Sequence, residues 1–575
     1  MSFITKHLLK IALVITLLVA LIFCIRQIGE PDVWWQIRTG QYIVEHGEVP
    51  KVDVFSYTYD GDPWINVKWL TEVMMAGFSD LMGPEFLMLQ QAIALLLICW
   101  LLLVAAKNYS KIAGDEKDIF QPGALLAMLF VLMGMSFRIN GRPEMVSHVF
   151  TCLYLYLMTD YRVKPGKKVF LFIPAMLLWA NMHEAFGVGV VLLVLFNVLS
   201  WLEYFIQKNQ AYRFEQHDLL KLSGVSLIAI LATAIHPSGT KMLTHPFEIY
   251  GQLGDNKFTT ELFGFQSAEY WNLGSFIALI FFIACVIFIF GKFKQGKELM
   301  QKAGFALVVI FAALTYLSLQ AYRNVPFFLF ASFPLVALFL AKRLKAKALQ
   351  WATIGLGALI YISVGSGWFY EKFLPMEKYG LRVDPTRNPI GASEFIKEHD
   401  VGGNGFVDYL SSAYMLWDLA PEYKSYLDLR DLDVFEGQFI DNILASYVYP
   451  ARKLQGGKGL FQTLDEHDNF NYVVMVNKKE FSPILRYLNK SKKYELVYAD
   501  LSTSVFLKKN DANEALINEF GEGNIESKFH APRALETPGL AYAVSKVFWP
   551  FYVETDYEQL NYESEKGVLR QMMGK

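Results

Sequence analysis

The chain has 575 residues, 54% hydrophobic and 15% aromatic but only 19% charged, with a mean hydropathy of +0.28. That composition excludes a disordered or fibrous protein and argues against an ordinary soluble enzyme of this length. With 53 Lys and Arg against 55 Asp and Glu the formal net charge is −2, so there is no basic field of the kind that captures nucleic acid.

Taken in chain order, apolar stretches run 11–25, 86–106, 122–137, 146–158, 169–180, 185–202, 222–235, 276–290, 303–319, 325–341 and 348–364. They predict eleven transmembrane helices, the shorter ones tilting or borrowing flanking polar residues to reach the ~20 residues of a span. Lys6 and Lys10 precede the first stretch, but the sequence from Arg26 to Pro31 lacks a small-x-small cleavage site, which favours an uncleaved anchor over a signal peptide. Cys24, Cys99, Cys152 and Cys285 all fall in apolar stretches, so no disulfide framework or cysteine metal site is expected.

Lysine and arginine in short loops stay on the cytoplasmic side. With the N-terminus inside, that side collects Lys6 and Lys10; Lys107, Lys111 and Lys117; Arg162, Lys164, Lys167 and Lys168; and Lys208 and Arg213. It also takes Lys292, Lys294, Lys297 and Lys302, and then Lys342, Arg343, Lys345 and Lys347. The opposite short connections hold only Arg138, Arg142 and Arg323. The loop 30–85 and everything after about Phe369 are then expected outside, together with any chemistry.

The first outer loop opens with Glu30-Pro31-Asp32-Val33-Trp34-Trp35-Gln36-Ile37 and carries Trp34, Trp35, Tyr57, Trp64 and Trp69, a density that suits the headgroup level. The plainer alternative is an interfacial anchor in which Asp32 caps a helix at Val33. Ser136 to Glu144 places Arg138 and Arg142 on the outer side, against the charge bias, with His148 one turn further on. Either an anionic ligand or an internal pair with Glu144 explains them. His183 and Glu184 interrupt a long apolar run and are expected to face the bundle interior or a wet cavity. No second histidine completes a zinc-protease motif; a metal site with first-loop acids and a hydrogen-bonded structural histidine both remain open. The loop 237–272 holds His245, Glu261, Glu269 and Trp271, which specify no reaction. Arg323 is the basic residue of a short outer turn, suited either to phosphate or to snorkelling.

After Val364 the pattern shortens. Strands are expected at 405–409, 424–428, 472–477, 495–499 and 504–507, with helices at 392–399, N-capped by Asn388, and at 481–488. Asp428, Arg430, Asp431 and Asp433 read as a solvated charged turn at a strand end, and Gly402 to Gly405 as a turn rather than a phosphate loop. The fold class is therefore a multi-pass α-helical membrane protein with a C-terminal extracytoplasmic α/β domain. The expected division is a transmembrane domain 1–368 that includes loop 30–85, the α/β domain 369–510, and a helical tail 511–575.

An outward acidic residue directly after the first span, a long aromatic outer loop, many further spans and an outer C-terminal domain together resemble the GT-C superfamily of membrane glycosyltransferases. Pro31-Asp32-Val33-Trp34-Trp35, Thr39-Gly40, His46-Gly47, Val49-Pro50, Asp53, Phe55-Ser56-Tyr57-Thr58, Trp69-Leu70 with Glu72, Arg142-Pro143-Glu144, Asn181-Met182-His183 and Arg323-Asn324 are similar to a bacterial GT-C-like membrane family. The resemblance implies transfer of a sugar or glycan from a polyprenyl-phosphate-linked donor to an acceptor, at the extracytoplasmic face of the bacterial cytoplasmic (inner) membrane. It carries Asp32 over as base, with Glu30 and Glu72 as further catalytic candidates. Arg138, Arg142 and Arg323 become donor-phosphate contacts. Trp34, Trp35, Asp53, Glu144, His183 and Glu184 become substrate contacts, and a divalent Mg or Mn ion is a conceivable cofactor. Partners are the bilayer, the lipid-linked sugar and an acceptor glycan, lipid or protein, with no nucleic acid. The Trp-Trp-Asp sequon-reading motif of oligosaccharyltransferases is missing from the C-terminal region, which speaks against asparagine-linked transfer. A transporter or flippase of lipid-linked glycans and a non-catalytic assembly scaffold are the alternatives.

Overall fold

Long apolar runs in a bilayer satisfy their backbone groups only as helices, and each of the eleven stretches meets one. In the computed structural model these are Phe3–Ile22, Leu87–Ile112, Pro122–Met135, Glu144–Val163, Phe172–Met182, Phe186–Ile206, Gln216–Ala232, Leu273–Phe290, Lys294–Gln320, Val325–Arg343 and Ala346–Gly365. The structure describes residues 3–114, 121–206, 214–248, 260–291, 294–453, 457–523, 528–555 and 570–574; Lys117, Lys208, Arg213 and Lys292 of the expected inner loops, and 556–569 of the expected helical tail, lie outside them. Among the described residues six helical segments are long and apolar enough to cross a membrane: Pro84–Ile112, Phe186–Ile206, Leu273–Phe290, Lys302–Gln320, Tyr322–Arg343 and Ala346–Gly365. The protein is a multi-pass membrane protein.

Contacts divide the chain into two units, of which the first comprises Met1–Arg26, Leu87–Tyr379 and Val547–Phe551. Its centre is the helix Val325–Arg343, the apolar window of which is 78% buried against 39% for Ala346–Gly365. It packs on Pro122–Met135, Leu273–Phe290 and Lys294–Gln320. Gly123 faces Ala337 and Ala341 so closely that a Cβ would overlap the Ala337 carbonyl, the small-residue contact that lets apolar helices approach without a hydrophobic driving force. Lys294–Gln320 breaks at Gly304, where φ is 78°. Arg162 donates to the Lys302 carbonyl at 3.3 Å, Glu203 accepts from the Ala306 amide at 3.1 Å, and the two side chains pair at 2.5 Å. The buried ion pair thus takes up backbone groups that the break frees.

The second unit comprises Gln27–Phe86, Gly380–Lys546 and Tyr552–Lys575. By contacts, then, the first outer loop groups with the C-terminal region rather than with the spans. Its sheet has β1 (Gly405–Val407), β2 (Tyr472–Val476), β3 (Tyr494–Ala499) and β4 (Thr503–Lys508) in the order β1-β2-β4-β3. The β1/β2 pair is parallel and the other two pairs are antiparallel. The strand expected at 424–428 does not form; there the chain makes a single parallel bridge, Ser425 to Ser56 of the first loop, with Ser425 N donating to Phe55 O at 2.8 Å. Helices Asp32–His46 and Trp69–Met82 pack together across Gly40, where any Cβ would strike the Glu72 carbonyl, so the Thr39-Gly40 step is a packing requirement.

Candidate functional site

Two clusters of ionisable side chains stand out, one in each unit. In the membrane unit, Arg138 closes the short turn Ser136–Arg138, Glu144 opens the helix Glu144–Val163, Arg323 lies in the turn Tyr322–Asn324, and Glu261 lies in the turn Thr260–Leu262. Arg138 pairs with both Glu144 and Glu261, the latter at 2.6 Å. Arg142 approaches Glu261 at 3.7 Å and Arg323 approaches Glu144 at 3.9 Å. The internal Arg138–Glu144 pair left open by the sequence therefore exists, and Arg142 and Arg323 gather around the same two carboxylates. Burial alone would raise the Glu261 carboxyl; Arg138, Arg142 and Arg323 outweigh it and hold it down at about 2.

Buried Arg26 braces this cluster, donating to the carbonyls of Ile139 at 2.5 Å and Ser136 at 3.2 Å, with Glu377 at 3.8 Å. One helical turn beyond Glu144, His148 is fully buried, edge-on to Phe327 and Phe330, and among the described residues neither of its ring nitrogens has a hydrogen-bond partner. His183 is held differently. Trp179 Nε1 donates to Ser147 Oγ at 2.7 Å, while His183 Nδ1 lies 2.8 Å from that hydroxyl and accepts from the Ala185 amide at 3.2 Å. This network makes Nδ1 the acceptor and leaves the proton of the neutral ring on Nε2. Glu184 beside it is half-buried.

In the second unit Asp32 is the first residue of its helix, preceded at the cap position by Pro31, which offers no side-chain acceptor. Its carboxylate accepts from Trp35 Nε1 at 3.2 Å, so Asp32 interacts with an indole rather than serving as the expected cap before Val33. Lys68 lies over the Trp35 ring at 5.0 Å and reaches Asp433 at 3.9 Å. Asp431 accepts from the Tyr409 hydroxyl and holds a left-handed backbone, φ 47°, uncommon for a residue with a side chain. Enclosure by neighbouring atoms, opposed by the Tyr409 hydrogen bond and reinforced by the charges of Asp32, Asp433 and Asp428, pushes the Asp431 carboxyl up to about 7. Asp32 and Asp431 thus sit within electrostatic reach of each other, and Asp431 holds a proton near neutrality, a perturbation of the kind found at functional sites.

Other expected contact residues are consumed by the frame of this unit. Trp34 is fully buried against Tyr414 and Trp417 and donates to Asn388 Oδ1 at 2.6 Å. Asn388 also donates to the Ile28 carbonyl at 2.9 Å, so it joins the first loop to the C-terminal region instead of capping a helix as expected. Asp53 is fully buried, takes the Phe55 amide at 2.9 Å, and pairs with Arg430 at 2.6 Å; Arg430 also clasps Asp428 at 2.7 Å. The turn expected to be solvated is therefore interior at Asp428 and Arg430, because the first loop supplies the second carboxylate, and only Asp431 and Asp433 keep partial exposure. Glu72 is fully buried with Asn66 donating to it at 2.5 Å, and Glu30 is half-buried. Neither cluster forms a cation cage: among the described residues only Glu215, His217 and Asp218 bring three ligand atoms together, on a largely exposed edge.

A bundle of apolar helices with an interior arginine cluster, joined in one chain to a mixed-sheet unit with an acidic pair, defines a polytopic membrane protein with candidate polar sites. Among solved structures the fold is similar to the crystal structure of the Archaeoglobus fulgidus oligosaccharyltransferase in the apo form, with a TM-score of 0.50 and 12% identity over 89% of this chain and 76% of that chain. At that identity the likeness concerns the fold alone. No protein-family model matches the chain, and no curated protein does either.

Proposed function

We propose that the protein is a GT-C-type glycosyltransferase that moves a sugar or glycan from a polyprenyl-phosphate-linked donor to an acceptor at the extracytoplasmic face of the bacterial cytoplasmic membrane. The observation that supports this reading is the membrane-unit cluster that gathers Arg138, Arg142 and Arg323 around Glu144 and Glu261. On a fold shared with an oligosaccharyltransferase, such a cluster suits the phosphate of a lipid-linked donor, because guanidinium forks match phosphate oxygens and offset charge that grows as the sugar departs. Asp32 is the proposed base toward the acceptor hydroxyl, with Asp431 and Tyr409 setting its electrostatic surroundings. A hydroxyl is a weak nucleophile at neutral pH, and a positioned carboxylate supplies ~10²–10⁴-fold. The proposed topology is eleven spans with a cytoplasmic N-terminus, which leaves the Gly380–Lys546 segment outside.

The test is reconstitution of the full chain in nanodiscs with undecaprenyl-phosphate- and undecaprenyl-diphosphate-linked sugars and a crude periplasmic acceptor fraction. Expected is consumption of one donor class with release of the free lipid phosphate. Donors that bind but are never consumed, and that in proteoliposomes change leaflet, would replace this reading with the flippase alternative.

A further inference from the structure

The search for features outside the two clusters leads to the segment Val547–Phe551. After the sheet domain the chain returns to the membrane unit here, and these residues group with the spans. The contact is specific. Tyr361 Oη donates to the Phe548 carbonyl, and the Trp549 ring lies on Gly365, the last residue of the helix Ala346–Gly365, so closely that a Cβ at Gly365 would overlap the indole. Two large apolar side chains of the segment are nevertheless turned outward: Val547 is 77% and Phe551 78% exposed. The helix that the segment packs against is itself outwardly apolar, with Leu359 67% and Ile362 54% exposed, and Trp368 just beyond its end is 51% exposed.

Leu359 and Ile362 lie on a helix apolar enough to cross the bilayer, so their exposed faces meet lipid. From Val547 to Phe551 the sequence is Val-Phe-Trp-Pro-Phe, with no charge and no hydrogen-bonding side chain except the Trp549 indole. A tryptophan packed on the end of a span and flanked in sequence by outward apolar residues matches the amphipathic girdle found where headgroups meet acyl chains. We infer that Val547–Phe551 is a membrane re-entry anchor, seated through Val547 and Phe551 in the phospholipid interface at the edge where Ala346–Gly365 ends. The occupant is lipid, because the segment is packed on the end of a helix apolar enough to span the bilayer and turns uncharged apolar side chains outward there.

The inference is independent of any catalytic role. It is tested on the full chain in nanodiscs of phosphatidylcholine and phosphatidylglycerol, carrying Phe551→Cys or Val547→Cys with a nitroxide label. The native Cys24, Cys99, Cys152 and Cys285 are all buried, and the unsubstituted chain provides the labelling background. Leu359→Cys supplies the lipid reference and Glu371→Cys, on a side chain 68% exposed, the aqueous one. Expected at 551 and 547 is relaxation enhancement by oxygen over a water-soluble nickel chelate, as at 359. Preference for the nickel chelate, as at 371, overturns the inference; so does shielding from both, which would place protein, such as a second copy of the chain, on the patch. As a second measurement, Val547→Asp with Phe551→Asp is expected to raise protease cleavage near these residues at least several-fold in nanodiscs. Unchanged cleavage counts against the anchor.

Discussion

Replacing Arg430 by methionine removes the charge that two buried carboxylates share. Arg430, Asp53 and Asp428 all have fully buried side chains, and the guanidinium sits 2.6 Å from one carboxylate and 2.7 Å from the other. Breaking a buried pair costs ~3–5 kcal/mol, because the partner is left charged in a medium that cannot solvate it. Two stranded carboxylates place the expected loss near the upper end, about 5 kcal/mol, comparable with the whole stability of many domains. Burial alone would raise the Asp428 carboxyl, and Arg430 outweighs it, so the folded value lies below the ordinary range. The stabilisation is therefore complete above the unfolded pKa of ~3.9 and is lost as pH falls through the lower folded value. The assay is urea unfolding of the full chain in nanodiscs, followed by protease sensitivity of the Gly380–Lys546 segment. Adding Asp53→Asn and Asp428→Asn to Arg430→Met should recover a large part of the loss, since the neutral amides no longer need a cation. A loss below about 1 kcal/mol for Arg430→Met alone would refute the claim that this ion triad binds the first loop into the second unit.

Two further expectations concern the candidate sites. Asp431 has a carboxyl pushed up to about 7, the opposite sign to Asp428, so its ionisation opposes folding: stability declines as pH rises from the unfolded value of ~3.9 through the folded one. Asp431→Asn should flatten that decline and stabilise the chain by up to about 4 kcal/mol above neutrality, measured by the same urea unfolding as a function of pH; an unchanged pH profile would contradict it. Glu261 is ionised throughout the neutral range and competes for the guanidiniums, so Glu261→Gln should tighten undecaprenyl phosphate binding by about tenfold, a difference of ~1.4 kcal/mol, measured by native mass spectrometry. Weaker binding would mean that Glu261 positions the arginines rather than competing with the ligand.

Much of the membrane unit was legible because apolar length is a direct statement about burial in lipid: every expected stretch overlaps a helix, although among the described residues six segments rather than eleven are long and apolar enough to cross a membrane. The arginines were legible for a related reason: in the expected topology Arg138, Arg142 and Arg323 stand on the side that the charge bias otherwise keeps free of short-loop lysine and arginine. What the sequence hid is pairing across long separations. Glu261 lies more than a hundred residues from Arg138 and has no local motif. Arg430 and Asp53 are still further apart, and a run of Asp-Leu-Arg-Asp-Leu-Asp looks solvated until the first loop is laid on it. The Trp34-Trp35 pair shows the same limit within one helix, since both indoles are buried but one donates to Asn388 and its neighbour to the Asp32 carboxylate. Tyr409, Asp431 and Asp433 carried a signal only in their position after a strand. The strand expected at 424–428 had the right composition, but its hydrogen bonds go to Phe55 and Tyr57 of the first loop.

The central claim is that Asp32 acts as base on a lipid-phosphate donor's acceptor. It is tested most directly by comparing Asp32→Asn with the unsubstituted chain in nanodiscs, measuring turnover of the consumed donor and binding of undecaprenyl phosphate in the same preparations. Asparagine keeps an acceptor for the Trp35 indole, so the frame is retained. The account predicts turnover reduced by ~10²-fold or more with phosphate binding changed less than about twofold. Unchanged turnover in a folded, donor-binding Asp32→Asn protein would contradict it.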